Sequence, residues 1–181
     1  MLHKDMTKAL NSQINKEMYS AYLYMSMSGH SAKLGLKGFA NWFMVQYHEE
    51  MYHAMKLYEY VQRQGEDVVL DTLKAPPSDF STPLDMFTQT LAHEQFITDS
   101  INKLMDLAIK KKDHATQIFL EWYVTEQIEE EENDNDIILQ LKLIGDNPHA
   151  LLMLDRELSA RTTTVPVDFS KGIEAAEKAA A

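Results

Sequence analysis

At 181 residues the chain is long enough for one domain with a sizeable core, and its 28 Asp and Glu against 17 Lys and Arg, a net charge of -11, argue against nucleic acid or an anionic membrane as main partner while permitting cations. With no cysteine, disulfides, thiolate zinc sites, cysteine-ligated iron–sulfur clusters and thiol nucleophiles are excluded, so any metal must be held by oxygen and imidazole. No segment approaches the length of a bilayer-crossing helix, and Met1 to Met6 has no apolar run behind a basic start; the expectation is a soluble, cytoplasmic protein.

Only 6 glycines and 5 prolines occur, in a few clusters, and the expected fold class is all-α. The apolar period predicts a first helix from about Asp5 to Ala32, with Leu10, Ile14, Ala21 and Tyr24 on one stripe and Glu17 inside it. After a break over Lys33 to Gly38, a second helix runs from Phe39 to about Gln64 and stops at Gly65; the short link makes the two antiparallel neighbours. On this helix Glu50 and His53, three residues apart, point to one side and can share a metal ion. Phe43, Tyr47, Ala54, Leu57 and Val61 place the pair on a mostly apolar stripe, although such a pair taken alone is more often solvated or hydrogen-bonded. A zinc-protease motif needs histidines four apart, and His48 and His53 are five apart.

Glu66 to Thr82, containing Ala75-Pro76-Pro77-Ser78, has no helical period. Its roughly 17 residues reach about 55 Å when extended, enough to travel the length of a helical bundle, so the stretch reads as a crossover. Thr82-Pro83-Leu84-Asp85 is a start signal, with Thr82 as N-cap and Pro83 at the first helical position. The third helix extends to about Lys111, with Glu94 in the stripe of Phe87, Leu91, Ile97 and Ile101. Lys110 to Lys112 close it in agreement with the helix dipole, and Asp113 caps a fourth helix that ends near Ile144 at Gly145. Glu130 shares a row of this helix with Tyr123, Gln127, Ile137 and Leu141. Asn147-Pro148 starts a short fifth helix whose leucines, Leu151, Leu152, Leu154 and Leu158, pack either at a subunit boundary or onto their own bundle. The domain is expected to span residues 1–160 and a poorly ordered tail residues 161–181. In the acidic run Glu129 to Asp136, Glu131, Glu132 and Asp136 read as a solvated face, with Glu130 set apart by its row.

Each long helix thus carries a carboxylate near its midpoint, Glu17, Glu50, Glu94 and Glu130, and midpoints meet whichever way the helices run. Four buried carboxylates without cations would each cost several kcal/mol. Two divalent cations cancel the four charges, and the His53 nitrogen selects a transition metal such as iron over magnesium or calcium.

One carboxylate from each of two helices and Glu-x-x-His motifs on the others is the construction of the ferritin-like di-iron bundles. Here that motif occurs once, Glu50-Met51-Tyr52-His53, and the fourth helix offers Gln127-Ile128-Glu129-Glu130. With the crossover, the short fifth helix and this ligand series, the chain closely resembles the bacterial non-haem ferritins over its whole length. Bacterioferritin would keep a histidine at the position of Glu130; rubrerythrin's iron–sulfur module is excluded by the missing cysteines; the mini-ferritins are disfavoured by the fifth helix and by ligands spread over four helices.

The resemblance implies that Glu17, Glu50 and His53 hold a first iron, and that Glu50 bridges to a second completed by Glu94 and Glu130. Gln127 stands beside the second, as a weak ligand or a hydrogen-bond partner of an oxygen species. It also implies a third iron site at Glu49, Glu126 and Glu129, toward the interior of a shell, although the residues alone read as solvated glutamates. Tyr24 is implied as a redox-active tyrosine, the alternative being a core tyrosine, and Trp122 is a second electron-rich neighbour. Met51 matches a haem-ligating methionine of bacterioferritin, but 11 methionines make the match cheap, so packing is favoured and haem is not expected. The implied activity is that of a ferroxidase: two Fe(II) per chain are oxidised by dioxygen or peroxide, and ferric mineral is deposited inside a homo-oligomeric shell of twenty-four copies. The rivals are a haem-containing, bacterioferritin-like protein, a di-iron oxidase acting on an organic substrate, and a purely structural helical protein.

Overall fold

The computed structural model describes residues 2–180; Met1 and Ala181, the outer ends of the expected domain and tail, lie outside the described residues. Its elements in chain order are α1 (Lys4–Lys33), α2 (Lys37–Arg63), α3 (Pro83–Lys111), α4 (His114–Ile144), α5 (Pro148–Leu158) and α6 (Ile173–Ala180), with no strand among the described residues. The first four form the bundle, and no described helix is long and apolar enough to cross a membrane.

Local chemistry sets most of the boundaries. The Thr82 hydroxyl accepts from the Asp85 N–H at 3.0 Å and the Asp113 carboxylate from the Thr116 N–H at 3.1 Å, each satisfying a donor that its helix leaves free. The helix α2 has no such cap of its own, because Leu36 precedes it. Its second and third N–H groups, those of Gly38 and Phe39, donate instead to Asp155 Oδ1 at 2.7 and 3.1 Å, so α5 supplies the missing carboxylate. Only glycine permits this approach, since a Cβ on residue 38 would lie 1.5 Å from the Asp155 carbonyl oxygen. The short helix docks on its own bundle through buried Leu154 and Leu158, while Leu152 stays exposed.

Two apolar clusters fill the bundle. One gathers Met27, Phe39, Phe43, Phe87 and Leu141, the other Met6, Leu10, Val61, Leu104 and Leu120. Late α1, early α2, early α3 and late α4 therefore meet at one end, and the opposite halves at the other. Between the clusters lies a polar layer from the middle of each helix, containing Glu17, Glu50, His53, Glu94 and Glu130.

The crossover between α2 and α3 runs as irregular chain along α1 and is fastened to it by short polar side chains. Asn11 donates to the Asp67 carbonyl at 3.0 Å and accepts from the Val69 N–H at 3.2 Å, and Ser26 donates to the Pro77 carbonyl at 2.7 Å.

Within the tail expected over residues 161–181, the described residues include the helix α6 and several contacts to α2. Asn41 donates to the carbonyls of Leu158 and Arg161, and α6 lies against α2. The Ile173 N–H donates to Glu59 Oε1 at 2.6 Å, and Glu177 accepts from the Tyr52 hydroxyl at 2.5 Å and from Lys56 at 3.1 Å. The alanine-rich helix is held by α2 side chains that precede it by more than a hundred residues, which local composition does not show.

Candidate metal centre

Glu17 (α1), Glu50 and His53 (α2) and Glu94 (α3) are each 1% exposed, and Gln127 and Glu130 (α4) 4% and 5%. Three of the four carboxylates, Glu17, Glu94 and Glu130, are oriented by polar neighbours. Gln13, one turn before Glu17, donates to Glu17 Oε1 at 2.8 Å, and Ser100 on α3 donates to Gln13 Oε1 at 2.6 Å. Gln46, one turn before Glu50, reaches across to donate to Glu130 Oε2 at 2.8 Å. Glu94 accepts from the Tyr24 hydroxyl through one oxygen and from Gln127 Nε2 at 3.1 Å through the other. Tyr123 donates to the His53 carbonyl at 2.7 Å, and the His53 ring lies edge-on to Trp122 at 5.3 Å.

Two sets of residues can bring ligand atoms within 4.8 Å of one another: Glu17, Glu50 and His53, and His53, Glu126 and Glu130. His53 Nδ1 lies 3.6 Å from Glu50 Oε2 and its Nε2 3.7 Å from Glu126 Oε1, close approaches without a hydrogen bond. Among the described residues Glu17 Oε2, Glu50 Oε1 and His53 Nε2 have no hydrogen-bond partner. Leaving buried polar atoms unsatisfied costs roughly 1–3 kcal/mol each, and a cation that displaces their protons and binds among them removes that cost. Carboxylate oxygens with one imidazole, and no thiolate, suit iron.

Burial pushes the carboxyls up from their usual range: Glu50 well above it, Glu17 upward, and Glu94 and Glu130 to about 7. At His53 burial opposes the charge, but Glu50, Glu126 and Glu17 outweigh it and hold the ring's pKa well above its ordinary value. Without metal the centre therefore keeps protons that a divalent ion must displace.

Tyr24 is fully buried against Glu94, and burial, then Glu94 and Glu50, push its phenol well above the ordinary range. The three residues expected at a third iron site are not drawn together. Glu126 approaches His53, Glu129 is exposed and outside both sets, and Glu49 is taken by Arg161, whose Nη2 donates to Glu49 Oε2 at 2.7 Å. The Arg161 guanidinium also stacks over Trp42 at 4.6 Å. Burial raises Glu49 to about 7 while Arg161 acts the other way.

Gln13, Gln46, Ser100, Arg161 and Asp134 are the polar groups around the centre that were not anticipated. Gln13 and Gln46 each sit four residues before a ligand glutamate, a spacing that exposes them to a periodicity reading. Ser100 and Arg161 reach the site across 87 and 112 residues and have no local signal. Asp134 belongs to the acidic run yet is 1% exposed.

The family described as ferritin-like domain matches residues 7–144. A bacterial non-heme ferritin of Staphylococcus epidermidis is 41% identical over 162 residues, covering 90% of this chain and 98% of the relative; one from Staphylococcus saprophyticus is 40% identical over 90% of this chain and 97% of its own. Among solved structures, a novel open pore ferritin from Archaeoglobus fulgidus superposes with a TM-score of 0.89 at 47% identity, covering 90% of this chain and 100% of that one. An engineered closed form of the Archaeoglobus fulgidus ferritin gives 0.89 and 47% over 91% and 100%.

Proposed function

The chain belongs to the ferritin family, and on that premise we propose that it is an iron-storing ferroxidase. The observation that carries this reading is the set of three unpartnered donor atoms, Glu17 Oε2, Glu50 Oε1 and His53 Nε2, in the buried middle of the bundle. Glu17, Glu50 and His53 take the first Fe(II); Glu50 bridges to a second held by Glu94 and Glu130, with Gln127 beside it. Such a pair of metals sits about 3.5–4 Å apart with open positions for the oxidant. Two Fe(II) give one electron each to dioxygen, which takes two protons and leaves as hydrogen peroxide. The protons that the raised carboxyls lose on metal binding are available for that step.

Tyr24, whose hydroxyl donates to Glu94, gives a further electron and its phenolic proton when a third Fe(II) gives a fourth electron, so that dioxygen with four protons in all leaves as two waters instead of hydrogen peroxide. A third iron is taken by Glu126, with Glu49 and Glu129 joining once Arg161 releases Glu49. The subunits form a cytoplasmic shell of twenty-four copies, inside which the ferric product mineralises; haem has no part in the reaction.

The test is anaerobic addition of Fe(II) to metal-free protein, followed by air. Rapid oxidation of two irons per chain and continued uptake into a soluble particle is the expected course. Oxidation that stops at the stoichiometric centre refutes storage and favours an oxidase of organic substrates. Failure to bind Fe(II) refutes the metal centre altogether.

A further inference from the structure

One buried carboxylate takes no part in the centre described above. Asp134 follows Glu130 by four residues on α4, so the two share a face of that helix. It is 1% exposed, and neither of its carboxyl oxygens has a hydrogen-bond partner among the described residues.

The packing of the bundle defines what shares its level. Because late α1, early α2, early α3 and late α4 meet at one end, the step from Glu130 to Asp134 runs in the same direction as the steps from Glu50 to Gln46, from Glu94 to Thr90 and from Glu17 to Tyr24. Gln46 is fully buried, donates from Nε2 to Glu130 Oε2 at 2.8 Å, and has no partner for Oε1 among the described residues. Thr90 donates to the Met86 carbonyl and Tyr24 to Glu94, so neither hydroxyl proton is directed at Asp134. The layer thus offers three unsatisfied acceptor oxygens, two on Asp134 and one on Gln46, beside the Glu130 carboxylate.

The charges that reach Asp134 are mostly of its own sign. Glu94, Glu130 and Glu131 bear on its carboxylate with like charge, and Arg161 with the opposite charge. Arg161 hydrogen-bonds Glu49 through Nη2, stacks on Trp42, and makes no hydrogen bond to Asp134; its Nη1 has no partner among the described residues. No described group donates to these buried oxygens, and a proton or a cation among them removes the cost of leaving them unsatisfied.

We propose that Asp134, Gln46 Oε1 and Glu130 form an additional cation position one helical turn from the di-iron centre, where iron leaving the second site is received. This rests on the ferroxidase reading of that centre. An all-oxygen set without imidazole favours hard cations, and Glu130, common to both positions, allows an ion to pass without leaving carboxylate contact. Asp134 is then a metal ligand of the exit step and not of the oxidation step.

The deciding experiment is anomalous diffraction at the iron edge from wild-type crystals soaked anaerobically in Fe(II) and then exposed to air. The expected result is a peak within about 2.0–2.6 Å of an Asp134 oxygen, in addition to peaks at Glu50 and His53. Asp134→Asn is expected to lose the additional peak and keep the other two. Peaks at Glu50 and His53 with none at Asp134, or an Asp134 carboxylate hydrogen-bonded to Arg161 in place of metal, overturn this inference and leave the ferroxidase standing. No peak at Glu50 and His53 overturns the ferroxidase reading itself. Should the variant not fold, the wild-type crystal decides alone.

Discussion

The raised carboxyls make a prediction about the metal-free protein that involves no turnover. Glu94 and Glu130 titrate near 4.5 when unfolded and at about 7 in the fully buried layer, a rise of about 2.5 units each. At 1.36 kcal/mol per unit this corresponds to about 3 kcal/mol per group. The sign follows from proton counting: between pH 4.5 and pH 7 the folded protein holds protons that the unfolded chain has released. The associated stability is fully present below pH 4.5 and is lost as the pH rises through 7. The two groups interact, so their joint effect is several kcal/mol, and for a chain of this size each kcal/mol moves Tm by about 2–4 °C. Calorimetry of metal-free protein is therefore expected to show Tm falling by on the order of 10 °C between pH 5 and pH 7.5. Zn2+, a redox-inert occupant, should reverse the slope, because rising pH clears protons from the ligands it needs. The double variant Glu94→Gln, Glu130→Gln should make the metal-free profile shallower, with Glu17, Glu49, Glu50 and Asp134 keeping part of the slope. A metal-free Tm that rises across the window, or an unchanged slope in the double variant, refutes the placement of ionisable carboxyls in a dry layer.

Three further outcomes are expected. Glu50→Ala should abolish rapid Fe(II) oxidation in stopped flow while leaving assembly intact by size exclusion; an unchanged rapid phase disproves the bridging role. Arg161→Ala should cost about 1–2 kcal/mol through the lost stacking on Trp42 and ion pair to Glu49. In metal-soaked crystals of that variant Glu49 should turn to an ion shared with Glu126, and a Glu49 that stays free of metal counts against the third site. Gly38→Ala would drive a Cβ into the Asp155 carbonyl and displace the α2 cap, a loss of about 2–4 kcal/mol in chemical denaturation. Stability within error of wild type would show that α5 does not depend on this contact.

The helices and their carboxylates were legible because they rest on local rules. Pro83 and Gly145 punctuate the chain where the structure begins α3 and ends α4. Glu17, Glu50, Glu94 and Glu130 each interrupt an apolar stripe, a violation that asks for a reason before any contact is known. What was hidden is either remote or disguised. The pairing of Arg161 with Glu49, and the capture of α6 by Glu59 and Tyr52, join segments more than a hundred residues apart. Asp134 was disguised by its surroundings: Glu131, Glu132 and Asp136 belong to the same run, and composition cannot separate the inward residue from the outward ones. Only the four-residue step from Glu130 does so.

The capping of α2 by Asp155 has a consequence for the order in which the molecule is made. The carboxylate that completes the first turn of α2 is encoded 117 residues after Gly38. Until α5 has been made, the amides of Gly38 and Phe39 have no carboxylate to donate to and are left to water. The first turn of α2 closes only when α5 arrives. A chain that stops short of residue 155 lacks this cap beside Phe39 and Trp42, so the end of the apolar cluster that α2 contributes is the part of the bundle most dependent on the late-made α5.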